Sequence, residues 1–78
     1  MYALKMMDKI ESVLRKVLEI EQDQSLADLS LGTWKNWDSL ATMQIVIALE
    51  ETLEIRFLSS EISQFVSYED IVRVISER

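Results

Sequence analysis

From Leu4 to Leu18 apolar side chains return every third or fourth residue, at Met7, Ile10, Leu14 and Val17, with Val13 and Leu18 widening the row. Polar residues fill the opposite side. That period marks an amphipathic helix, which is marginal alone in water and must lay its apolar stripe against something else. In a chain of 78 residues the covering surface has to come from one small core. A domain of this size buries a modest share of its surface, and close packing of a few helices is the remedy. Hydrophobic residues make up 49% of the chain and run from end to end, so there is material for that core and no tract that reads as disordered. Residues 1–78 are expected to form a single domain.

The helical row stops at Glu19. Residues 21–37, EQDQSLADLSLGTWKNW, hold the only glycine, Gly32, with Leu26, Leu29, Leu31, Trp34 and Trp37 at irregular intervals. Connections beyond about 12–15 residues are uncommon in compact domains. The expectation is therefore a long ordered loop anchored by its own Leu and Trp side chains. At Asp38 the pattern changes, and DSLATMQIVIALEETL reads as a second helix with Val46, Leu49 and Leu53 on one face and Ile45 beside them. Asp38 is its natural N-cap, which places Ser39 at the first helical position. Ile55 and Phe57 then alternate with charged residues, as in an extended segment too short for a sheet. EISQFV reads as a short third helix burying Ile62 and Phe65. Ser67 and Asp70, in the S-x-x-D spacing of a capping box, open a last helix carrying Ile71, Val72, Val74 and Ile75. The fold class expected is all-α: three main helices plus one short one, around Ile10, Leu14, Val17, Ile45, Val46, Leu49, Phe65, Ile71 and Ile75.

The residues that are missing narrow the chemistry. There is no cysteine and no histidine, which removes disulfides, thiolate zinc sites, Ser-His-Asp and Cys-His arrangements and HExxH motifs. No catalytic residue and no metal site are expected; Glu50 and Glu54, four apart, lack the further oxygen ligands a hard cation needs. A net charge of −6 repels phosphate backbones and anionic lipid and favours partners with basic surfaces, so nucleic acid and membrane insertion are not expected. The opening MYALKMMDKI carries Lys5 and Lys9 without an apolar run of signal-peptide length, and nowhere do about 18 apolar residues follow one another. A soluble, cytoplasmic monomer is the expectation.

Asp38-Ser39-Leu40, set at the start of an apolar helix and after a long loop, is the most specific feature. The stretch WDSLATMQIVIALEETLEI resembles the modification site and second helix of the acyl and peptidyl carrier proteins, and the order helix, long loop, D-S-L helix, short helix, last helix matches that family along the whole chain. The resemblance implies an acyl-carrier-protein-like bundle that catalyses nothing itself. It implies that a phosphopantetheinyl transferase moves phosphopantetheine from coenzyme A onto Ser39, next to Asp38, and that cargo is held as a thioester on the arm's terminal thiol. It further implies that the second helix is gripped by the transferase, by an acyl- or aminoacyl-loading enzyme and by a downstream transferase or synthase. On that helix Leu40, Met43 and Ile47 would give a docking patch and Glu50 and Glu51 pairing to basic partners. For Met43 a core position stays equally open, and for Glu50, Glu51 and Glu54 a merely solvated face.

The chain departs from the common fatty-acid type: Ala41 and Gln44 stand where acidic residues are usual, Trp37 replaces a small residue, and Lys35 and Asn36 occupy the approach in place of a glycine. A specialised pathway (polyketide, peptide or cell-surface modification) is expected over routine fatty-acid synthesis. Trp34 and Trp37 read as packing anchors, with Trp37 the better candidate to flank the arm. The rivals are a non-modified helical protein–protein interaction module and a small enzyme built on Asp38, Ser39 and Lys35.

Overall fold

The computed structural model describes residues 2–26, 29–32, 34 and 36–77, with the backbone alone for residues 2–5. Four helices follow in order: α1 (Tyr2–Leu18), α2 (Ser39–Leu53), α3 (Ser59–Ile62) and α4 (Tyr68–Ser76). Among the described residues there is no strand, only an isolated antiparallel bridge between Ser30 and Ser67.

The principal helix pair is α1 against α2. The buried row on α1 is Ile10, Leu14 and Leu18 with Val13 beside it, an i, i+4, i+8 ridge. It meets Ala41, Ile45, Val46 and Leu49 of α2 and Ile71, Val74 and Ile75 of α4 in one continuous core. Eight of the nine expected core positions are buried there; Val17 is only partly covered and Met7 is 38% exposed. Leu18 takes the deep place expected of Val17 because it continues the ridge, whereas Val17 stands about 100° round the helix. No polar or charged side chain among the described residues is buried in this core.

Both long helices end in the same way, on a tripeptide that the chain uses twice: Leu18-Glu19-Ile20 and Leu53-Glu54-Ile55. Glu19 and Glu54 sit in the left-handed region at φ 55° and 56°. The following isoleucine N–H reaches five residues back, Ile20 to the Arg15 carbonyl at 3.0 Å and Ile55 to the Glu50 carbonyl at 3.2 Å. This is the Schellman stop, made here without the usual glycine and closed by an isoleucine folding back under the helix. Ile20 is buried and Ile55 partly so.

The first connection is anchored as its apolar residues foretell. Ile20, Leu26, Leu29 and Trp37 are buried and Trp34 partly so, whereas Leu31, expected among the anchors, is exposed; the backbone at Leu29 and Leu31 bonds to Tyr68 and Val66. These links pin the loop to the start of α4, whose cap is a reciprocal pair: Ser67 Oγ accepts the Asp70 N–H at 3.1 Å and donates to Asp70 Oδ2 at 2.9 Å. In a full capping box the carboxylate takes the cap residue's N–H; here it takes the hydroxyl.

The extended stretch after Glu54 alternates as expected, with Phe57 turned inward and Arg56 outward. Phe57 meets Phe65 edge to face at 5.0 Å between ring centroids. The third helix differs from expectation. It is one turn, begins at Ser59 rather than Glu61, and leaves Phe65 in the turn beyond it. Leu58 has no side chain to cap it, so Glu61 reaches back and accepts the Leu58 N–H at 2.8 Å.

Candidate functional site

Asp38 adopts an extended conformation and closes the N-terminus of α2, its Oδ1 accepting the Ala41 N–H at 2.8 Å. Its carbonyl accepts both the N–H and the hydroxyl of Thr42, at 3.0 and 3.1 Å. Ser39 follows at the first helical position and is exposed. The first turn of α2 carries no acidic side chain, and the whole helix carries no lysine or arginine. Asp38 therefore supplies the negative charge at the positive end of its dipole.

The residues ahead of Asp38 form a stitched frame. Trp34 Nε1 and Asn36 Nδ2 both donate to the Leu18 carbonyl, at 3.0 and 3.1 Å, satisfying an acceptor that the end of α1 leaves open. Gly32 donates its N–H to the Trp37 carbonyl at 3.2 Å and stands at φ 87°. A Cβ there would meet nothing within 4 Å, so the backbone angle rather than crowding calls for glycine. Trp37 is 2% exposed and its indole donates to Thr42 Oγ1 at 2.9 Å. It is thus the interior anchor expected of it, and the alternative that it flanks an arm falls away. Lys35 lies outside the described residues.

Down α2 from Ser39 runs an exposed apolar stripe: Leu40 is 68% exposed, Met43 47% and Ile47 53%. Their spacing of three and four puts them on one side of the helix, away from Ala41, Ile45, Val46 and Leu49. The core alternative for Met43 is thereby excluded. Ala41, by contrast, is buried, so it is not part of that outward face. The acidic residues divide. Glu51 and Glu54 are exposed. Glu50 is turned inward: its Oε2 accepts the Phe57 N–H at 2.9 Å and its Oε1 pairs with Arg56 at 3.4 Å. The alternative of a merely solvated Glu50 is thereby excluded; its carboxylate braces the segment after α2. Ile47, Glu50, Glu51, Glu54, Ile55 and Arg56 line an open groove of ≈ 580 Å³ at that end.

Sequence reasoning missed Thr42 and the inward turn of Glu50. A threonine four residues after a cap residue, able to bond back to its carbonyl, was the available sign for the first; the second depends on where the chain turns after α2. Among the described residues no group of three or more His, Cys, Asp or Glu is placed to hold a metal ion, and no helix is long and apolar enough to cross a membrane.

Fold and site together define a small all-helical protein that presents one serine, outward, at the capped start of a helix that carries an exposed apolar stripe. No family model and no solved structure matches the chain. Among curated proteins it is similar to polyketide-8 synthase acyl carrier protein 1 of Streptomyces avermitilis, with 29% identity over 69 residues that span 88% of this chain and 82% of that protein.

Proposed function

We propose that the chain is a carrier protein that holds acyl or aminoacyl groups on a phosphopantetheine arm at Ser39. The observation that carries the reading is the exposed hydroxyl at the first position of α2, directly behind the Asp38 cap and directly ahead of the Leu40–Met43–Ile47 stripe. The similarity to an acyl carrier protein adds independent support.

The residues present fit such a group. The Ser39 and Leu40 N–H groups precede any intrahelical acceptor, so a phosphodiester at Ser39 would meet backbone donors and the positive end of the dipole. This favours a negative charge by about 0.3–1 kcal/mol at an exposed site. Asp38 holds the turn: its Oδ1 is engaged by the Ala41 N–H, which leaves the Ser39 and Leu40 N–H groups to the phosphodiester. In the transfer, Ser39 Oγ bonds to the pantetheine-side phosphorus of coenzyme A while the P–O bond to adenosine 3′,5′-bisphosphate breaks. The hydroxyl proton leaves to a base on the transferase. When bound, the arm supplies the thiol for thioester chemistry that a chain without cysteine lacks.

Leu40, Met43 and Ile47 give the transferase and the cargo enzymes an apolar contact, and exposed Glu51 and Glu54 offer pairing to basic surfaces. Glu50 contributes through the groove it helps line. Because the outward side of α2 ahead of Glu50 is uncharged, at Leu40, Met43, Gln44 and Ile47, the partners proposed are those of a specialised pathway, polyketide-type included, rather than routine fatty-acid synthesis.

The test is the intact mass after incubation with coenzyme A and a broad-specificity phosphopantetheinyl transferase, beside a Ser39→Ala variant. A phosphopantetheine mass gain in the parent alone is expected. No gain in the parent, under conditions that modify a control carrier, turns the reading to an unmodified module that docks partners on the same stripe.

A further inference from the structure

We infer that Trp37 and Thr42 are positioning residues for the transfer to Ser39, an inference that rests on the carrier reading. The indole Nε1–H of Trp37 donates to Thr42 Oγ1 at 2.9 Å, and the Thr42 hydroxyl donates to the Asp38 carbonyl at 3.1 Å. The direction of this relay is fixed by chemistry. An indole can only donate and a carbonyl can only accept, so the threonine hydroxyl has a single orientation that serves both.

The relay completes a frame in which the polar groups on both sides of the Trp37–Asp38 peptide are held. Trp37 donates its N–H to Trp34 and accepts at its carbonyl from Gly32. Asp38 accepts from Ala41 through its side chain and from Thr42 twice through its carbonyl. Trp37 itself is immobilised by burial, at 2% exposure. Ser39, one residue further, is exposed yet follows two residues that these hydrogen bonds tie into the frame. Holding a nucleophile in one orientation before its partner arrives is what raises the rate of a transfer, and small misplacements are costly. Neither Trp37 nor Thr42 touches the reacting atoms; they act through Asp38.

The experiment compares the parent with Thr42→Val, Thr42→Ser and Trp37→Phe as substrates of the transferase, at a temperature where far-UV circular dichroism shows all four folded. Thr42→Val and Trp37→Phe are expected to lower kcat about ten-fold with KM for the carrier unchanged, since the docking stripe is intact. Thr42→Ser, which keeps the hydroxyl, is expected to restore it. In proton–nitrogen NMR the Trp37 indole N–H should resist exchange in the parent and Thr42→Ser and lose that protection in Thr42→Val. Parent-like kcat in both Thr42→Val and Trp37→Phe, with or without a lower melting temperature, overturns the inference and leaves the carrier reading standing. Absence of transfer to the parent overturns both.

Discussion

Glu50 and Phe57 are joined by a 2.9 Å hydrogen bond from the Phe57 N–H to Glu50 Oε2, across the turn that ends α2. The bond aligns the chain so that Phe57 enters the core and stacks its edge against Phe65. Removing the acceptor takes a charge-assisted bond from a partly buried N–H, which costs about 1–2 kcal/mol. Glu50→Ala is therefore expected to lower Tm by roughly 4–16 °C, and Glu50→Gln, which keeps an oxygen, by less. Arg56→Ala should change little, because the arginine side chain is 91% exposed and such pairs contribute about 0–1 kcal/mol. Thermal melts of the three variants decide it.

The two left-handed glutamates, Glu19 and Glu54, carry a conformational cost that glycine does not. Part of the gain from glycine is lost again to the greater freedom of its unfolded chain. Glu54→Gly and Glu19→Gly are each expected to stabilise by about 0.5–1 kcal/mol, additively, since they lie at the ends of different helices. Urea titration should show higher midpoints with unchanged slopes; a lower midpoint would mean that the glutamate side chains make contacts worth more than the backbone cost.

Asp70 titrates below the usual carboxylate range because Arg73 and then Ser67 hydrogen-bond to its ionised form. A depressed folded pKa gives stability that is present above the unfolded value, 3.8, and lost as pH falls through the folded one. The difference in Tm between the parent and Asp70→Asn should accordingly be flat above about pH 5 and close progressively in more acidic buffer. A difference that persists unchanged into acid would assign the effect to the amide's geometry instead of the charge.

Ile47 offers a test of the docking side alone. It is 53% exposed, so Ile47→Glu should shift stability by no more than about 0.5 kcal/mol. At a docking patch the same change is expected to raise KM for the transferase by about ten-fold or more while kcat holds. Equal KM for both proteins would move the contact surface off this stripe.

Much of this was legible in the sequence. Spacing alone identified α1, α2 and α4 and most of the core, because a 3.6-residue period leaves few other ways to bury those side chains. Asp38 announced the start of α2, so the place of Ser39 and the outward side of Leu40 and Ile47 followed from the same period, whereas Met43 was left open between core and surface until the structure exposed it. What stayed hidden depends on contacts between residues that are distant along the chain or bound through the backbone. Trp34 and Asn36 reach the Leu18 carbonyl across 16 and 18 residues, and no local pattern records that. The burial of Trp37 likewise follows from the frame around it. The positions of the helix ends were read, at Glu19 and after Leu53, but not their left-handed closure, because the residue that usually marks it, glycine, is absent; the repeated Leu-Glu-Ile was the sign in its place. The third helix was misplaced because a single turn carries no period, and its start is held by Glu61 reaching back in place of a conventional cap.

The chain has two tryptophans, both in the segment that enters α2. Trp37 is sealed in the interior two positions before Ser39, and Trp34 is only partly covered. The protein thus carries a built-in optical probe beside Ser39, the proposed attachment site. Ultraviolet-excited emission from these indoles follows events at Ser39 without a label, and Trp34→Phe isolates the signal of the buried one. Attachment and partner docking become readable in real time on the native sequence.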